Sequence, residues 1–311
     1  MFVLPVTIGL AKKTMNQEGG LMMRRIIEKT CAIDDVQRVL ITTASTDVEL
    51  IQTEESDLKA QIWTNAATDE QVPVELTMSK KGDALEIRIE QMRQNWLRMG
   101  VLTSFGSWGA RVVIQLPTRI YDQIRIDGKS SDFSVRQLLA NRTQLAADSG
   151  DIEMETCSVN QELSVATSSG DIQVQDTLVK GHFHAHATSG DMRLEQVTAE
   201  EIRLRTHSGD IRVSEFRGGL DAMVNSGDLD IDSDLLSGDL NLESRSGDVQ
   251  IAFRTEPESL SLDYHSSSGD GDVRIDGLTY DKKSEHRIIG QKGDGTPSIR
   301  VRTRSGDFSL R

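Results

Sequence analysis

The chain has 311 residues, with Lys+Arg 35 against Asp+Glu 49 and a net charge of −14. An acidic balance excludes a general nucleic-acid binder, because phosphate contacts require a positive surface. Aromatic residues make up only 4%, so the core must be built from small aliphatic layers. Cys31 and Cys157 are the only cysteines, which is neither a disulfide framework nor a zinc-ligand spacing.

The opening "MFVLPVTIGLAKK" is apolar but short, and no basic residue precedes its apolar run, so it does not read as a signal peptide. No apolar run of 18 residues exists, so no transmembrane helix is expected. Residues 1–33 read as an N-terminal extension, with Met22 or Met23 as an alternative start. The cytoplasm or the inner membrane face is then the expected location, with the cell surface as the alternative.

Residues 34–130 alternate apolar and polar without a repeat. The expected strands are 38–44, 47–52, 59–64, 73–79, 84–90, 111–117 and 123–128, forming an irregular β entry region that caps the C-terminal part of the chain. Inside it lies "QMRQNWLRMGVLTSFGSWGAR", 91–111. It holds Trp96, Trp108 and Phe105, with Arg93 and Arg98, and no acidic residue. That composition suits contact with a protein partner or an anionic membrane surface. The competing reading is a plug that folds back over the solenoid end.

From 131 to 311 the chain repeats itself. Ser-Gly-Asp occurs at 149–151, 169–171, 189–191, 208–210, 226–228, 237–239, 246–248, 268–270 and 305–307. The aspartates Asp151, Asp171, Asp191, Asp210, Asp228 and Asp248 are spaced by 20, 20, 19, 18 and 20 residues. Two residues after each glycine stands Ile152, Ile172, Met192, Ile211, Leu229 or Val249, and two further Met154, Val174, Leu194, Val213, Ile231 or Ile251. This is period-2 alternation. Residues upstream of the glycine, such as Leu145, Val165, Ala185 and Leu204, alternate likewise. Two short strands per fixed period predict an all-β parallel β-helix or β-roll, a solenoid with one coil of about 20 residues per repeat. Segment 276–298 is an insertion before the last coil, expected to cover the far end.

The repeated turn is read structurally. Gly150, Gly170, Gly190, Gly209, Gly227 and Gly247 supply a positive φ, and their aspartates supply hydrogen bonds to the corner. Stacked carboxylates about 4.8 Å apart repel by roughly 0.9 kcal/mol in water, which leaves calcium along the ladder as a candidate ligand. The denser Gly-Asp pattern of calcium-binding repeats is missing.

Two further clusters bear on ligands. In "GHFHAHA", His182, His184 and His186 share the outward face, within reach of Glu162 or Glu201 on adjacent coils, and form a candidate metal row. Otherwise they are a solvated row. In "SGDLDIDSD", Asp228, Asp230 and Asp232 point outward with Glu243 near in sequence. Acid–base chemistry would need two of them driven apart in pKa by burial, which a solvated strand face does not supply. No phosphate loop, nucleophile elbow or helix-borne His pair occurs, so no enzyme is expected and no catalytic residue is assigned.

"VVIQLPTRIYDQIRIDGKSSDFSV", the serial SGD units and the closing "HRIIGQKGDGTPSIRVRTRSGDFSL" resemble the bacterial putative-adhesin family, a domain of unknown function, over residues 34–311. The resemblance implies a β-helical fold, no catalytic motif, and a non-enzymatic binding or scaffolding role at the cell envelope. Some relatives lie beside envelope-stress genes or act at Gram-positive surfaces. Two alternatives remain: an intracellular regulator that docks a membrane-protein partner through 91–111, and a carbohydrate-active β-helix.

Overall fold

The computed structural model describes residues 7–9, 14–16, 22–65, 74–91 and 109–311. The described residues are β-strands and turns throughout. The strands wind into two main walls that meet at the Ser-Gly-Asp corner, and a short third face stacks Leu139, Ser158, Leu178, Thr198 and Arg217.

Nine strands precede the regular coils: β1 (Thr7–Gly9), β2 (Thr14–Asn16), β3 (Met22–Cys31), β4 (Arg38–Thr43), β5 (Asp47–Thr53), β6 (Leu58–Thr64), β7 (Val74–Lys81), β8 (Ala84–Gln91) and β9 (Ala110–Pro117). The coils then run through β10 (Tyr121–Ser130), β11 (Phe133–Arg136), β12 (Leu139–Ser149), β13 (Ile152–Glu155), β14 (Ser158–Ser169), β15 (Ile172–Val179), β16 (His182–Ser189) and β17 (Met192–Ser208). They continue in β18 (Ile211–Ser214), β19 (Arg217–Ser226), β20 (Leu229–Ser233), β21 (Leu240–Ser246) and β22 (Val249–Phe253). The C-terminal end is made by β23 (Leu260–Ser266), β24 (Gly271–Val273), β25 (Thr279–Ser284), β26 (Arg287–Lys292), β27 (Ser298–Ser305) and β28 (Phe308–Leu310).

Strands that enter the corner form the first wall. Its parallel run is β8–β4–β10–β12–β14–β16–β17–β19–β21–β27–β23. Strands that leave the corner form the second, β9–β5–β11–β13–β15–β17–β18–β20–β22–β28–β24. The long β17 serves both walls, its first residues in the second and its last in the first. Because each coil pairs in register with the next, identical positions stack. Ile152, Ile172, Met192, Ile211, Leu229, Val249 and Phe308 form one buried row, and Leu145, Val165, Ala185, Leu204, Ala222, Leu242, Val301 and Tyr264 another. Fully burying a side chain of this size contributes about 1.5–3 kcal/mol.

The ends differ from the expected layout in two ways. Residues 34–130 are not merely an entry cap, since β4, β5, β8, β9 and β10 extend the parallel walls. Capping falls to antiparallel strands, β7 on β8 in the first wall and β6 and β3 outside β9 in the second. Part of the 1–33 extension, β3, is thus paired into the fold, and Cys31 and Ile33 are buried. At the other end, the last coil in sequence is not the last in space. The pair β27–β28 lies between β21–β22 and β23–β24. Insertion 276–298 supplies β25 and β26, whose antiparallel hairpin covers β23.

Candidate functional site

The corner explains the repeat. Gly150, Gly170, Gly190, Gly209, Gly227, Gly247 and Gly306 have φ of 131–155°. A Cβ on any of them would overlap the carbonyl of the residue stacked beneath it, Ser131 for Gly150 and a glycine for the others. Glycine is required twice over, by dihedral and by space. Each aspartate then reaches across to its neighbour. The Asp151 N–H donates to Asp132 Oδ1, Asp171 to Asp151, Asp191 to Asp171, Asp210 to Asp191, Asp228 to Asp210 and Asp248 to Asp228, at 2.8–3.0 Å. Asp132 continues the ladder to Asp47 at 3.1 Å, and Asp307 and Asp270 continue it beyond Asp248 at 2.8 and 2.9 Å. A backbone N–H on each inner oxygen brings a partial positive charge between neighbouring aspartates, which offsets part of their repulsion. A calcium ion along this row would find the inner oxygens already accepting N–H groups. The shallow groove beside Asp151, Asp171, Asp191 and Glu153 measures about 280 Å³.

The extra Ser-Gly-Asp at 237–239 lies at another corner. Gly238 stacks on Gly218, and the Gly218 N–H donates to Ser237 Oγ at 3.1 Å. A further corner is turned by non-glycine residues at positive φ: Gln137, Thr156, Asp176, Gln196 and Glu215, between 47° and 56°.

His182, His184 and His186 stand on the outer face of β16. His182 and His184 stack with ring centroids 6.1 Å apart, and His182 Nδ1 lies 3.6 Å from Glu201 Oε2. In register on β17, Arg203 neighbours His184 and Arg205 neighbours His186, so two of the three imidazoles adjoin a cation. Among the described residues, the three metal-donor side chains whose donor atoms lie within 4.8 Å of one another are Asp270, Glu285 and His286.

Asp228, Asp230 and Asp232 divide into three situations. Asp228 accepts the Asp248 N–H, and Asp230 pairs with Arg212 Nε at 3.3 Å, while Asp232 is exposed. Burial raises the Asp230 carboxyl above its ordinary value, with Arg212 opposing. Glu243 stands exposed between Met223 and Arg302. Burial likewise holds Asp47 up, against the Asp132 N–H it accepts and the Arg111 charge. Both cysteines are free and buried, and burial pushes the Cys157 thiol up to about 11, the profile of an inert core thiol.

Trp96, Trp108, Phe105, Arg93 and Arg98 lie outside the described residues. The anchors of that segment are placed. In the neighbouring coil Thr43 and Asp47 bracket the corner; the equivalent positions here are Ile89 and Arg111. In sequence the Trp/Arg segment joins β8 to β9, the strands that pair with β4 and β5.

Comparison with solved structures finds similarity to a putative lipid binding protein from Parabacteroides distasonis, at 13% identity over 91% of this chain and 96% of that one, with a TM-score of 0.51. A putative adhesin from Bacteroides fragilis is similar at 14% identity, 91% and 95% coverage and TM-score 0.45. Another from Parabacteroides distasonis is similar at 9%, 91% and 96%, and 0.44. At such identities the likeness to the first is one of fold. No curated protein matches the chain significantly. The family model described as Toastrack DUF4097 matches residues 36–311. That span begins just ahead of β4 and runs through the last coil, and the chain belongs to the Toastrack DUF4097 family.

Proposed function

We propose that the protein is a non-enzymatic binding or scaffold protein of the bacterial cell envelope, in the manner of an adhesin. The observation that carries this reading is the outer face of the first wall. Its side chains stand in register across coils and mix signs: Glu162, His182 and Glu201 in one row, and Ser164, His184, Arg203, Asp221 and Asn241 in the next. Arg203 and Arg205 both pair with Asp221, which fixes part of that surface. A broad polar face of this kind suits another macromolecule, because it spreads contact over many strands. The resemblance of the serial SGD units to the putative-adhesin family supports the same reading.

A second reading rests on the composition of 91–111, with Trp96, Trp108, Phe105, Arg93 and Arg98 and no acidic residue. In that reading the segment docks a membrane-protein partner from the inner side of the membrane. Fractionation of cells that make the protein, followed by protease treatment of intact cells, separates the two. Cleavage from outside is what the adhesin-like role requires. Protection, with the protein soluble or on the inner membrane face, overturns the surface role. Joint replacement Trp96→Ala and Trp108→Ala then tests the docking reading, which requires a folded protein that no longer captures its membrane partner.

A further inference from the structure

We propose that Asp270, Glu285 and His286 form a binding site for a single divalent transition metal of the zinc class, at the C-terminal end of the aspartate ladder. Every carboxylate in that ladder from Asp47 to Asp307 accepts the next coil's aspartate N–H, and Asp270 is the last. No further coil lies beyond it, so its carboxylate is the one in the ladder that receives no such donor. The turn of the capping hairpin occupies the place a next corner would take. The Gly271 N–H donates to the Glu285 carbonyl and the Ser266 N–H to the His286 carbonyl, both at 2.9 Å. These bonds pin the turn on either side of the terminal corner. They bring the donor atoms of Asp270, Glu285 and His286 within 4.8 Å of one another.

The imidazole is independently set up for a metal. His286 Nδ1 lies 2.9 Å from the Gly269 carbonyl oxygen and 3.8 Å from Asp270 Oδ1. A carbonyl can only accept, so that hydrogen bond uses a proton on Nδ1, and in the neutral ring it leaves Nε2 as the nitrogen that would meet a metal. A backbone carbonyl that fixes the second ring nitrogen is the usual outer partner of a metal-binding histidine. The two carboxylates, by contrast, have no lysine or arginine ion pair among the described residues. One imidazole with two carboxylates matches zinc and its first-row neighbours, whereas calcium and magnesium favour all-oxygen sets. All three side chains are exposed, so a fourth position remains for water or for a donor from another molecule.

The test is isothermal titration of the full chain with zinc chloride, and with calcium chloride at the same concentrations. One saturable zinc ion per chain is expected, with no comparable calcium isotherm. His286→Ala and Glu285→Gln, each checked for an unchanged thermal midpoint without metal, should weaken zinc binding at least tenfold. The double variant His182→Ala, His184→Ala should leave it unchanged. Absence of a saturable one-to-one isotherm overturns the proposal. So does zinc binding that survives both His286→Ala and Glu285→Gln, or that disappears with the β16 histidines instead.

Discussion

At the scale of single residues, the corner sets the most demanding conditions. Gly190→Ala places a methyl against the Gly170 carbonyl in backbone that side chains rarely adopt. A loss of about 3 kcal/mol or more is expected, read as a lower urea midpoint at unchanged slope. Gly82→Ala is the control, because its positive φ is matched by open space, and about 1–2 kcal/mol is expected there. The aspartates are separable from the glycines. Asp171→Ala removes the acceptor of an exposed hydrogen bond from the Asp191 N–H and should cost about 0.5–1.5 kcal/mol. Asp171→Asn keeps the oxygen and should cost less, so comparing the two isolates the hydrogen bond. Asp47 gives a pH signature. Its folded pKa is raised by burial, so in the window above the ordinary carboxylate value the folded state holds more proton than the unfolded one. Stability from this group therefore falls as pH rises through that window. Asp47→Asn retains an acceptor for Asp132 without the charge. It should be more stable than the parent at pH 7, and the gain should shrink as pH falls toward 4 in paired thermal melts.

At the scale of elements, the coil at 298–310 is the one with the greatest leverage. It buries Ile299, Val301, Phe308 and Leu310 between two other coils. At about 1.5–3 kcal/mol each, these contribute roughly 6–12 kcal/mol, comparable with the whole stability of an ordinary domain. Deleting 298–311 should abolish cooperative unfolding by circular dichroism, and a merely lowered midpoint would contradict that leverage. The strands were legible in the sequence wherever one face is buried: 38–44, 47–52 and 84–90 match β4, β5 and β8 to within a residue or so. β3 was not, because Met22–Cys31 carries "RRII" and a register shift between Arg25 and Ile27, which break the alternation. The order of the last coils was also hidden. Ile299 and Val301 alternate like any other pair, and periodicity identifies a coil without saying which neighbour it meets. The Asp270, Glu285 and His286 group escaped for the same reason. The repeat locates Asp270, but only the hairpin's antiparallel register brings 285 and 286 back beside it.

At the scale of the whole molecule, stability is a sum over neighbouring coils with caps at both ends. Amides in β14 to β20 should therefore exchange most slowly with deuterium. Those in β24 and β25, a three-residue edge strand and an exposed one, should exchange fastest. Equal protection along the solenoid would speak against coil-by-coil additivity. The displaced coil also bears on biosynthesis. A ribosome delivers residues in order, so up to 253 a growing solenoid can lay each new turn on one already made. Residues 260–292 then emerge with their own parallel partner still unmade. They can pair with one another as β23, β26 and β25, but they join the solenoid only when 298–310 has been synthesised and slips in behind them. The final stage of assembly is thus a wedge-in step rather than continued winding, and an exposed pair of strand edges waits for it, during which time a chaperone or a second nascent chain has its best opportunity to bind.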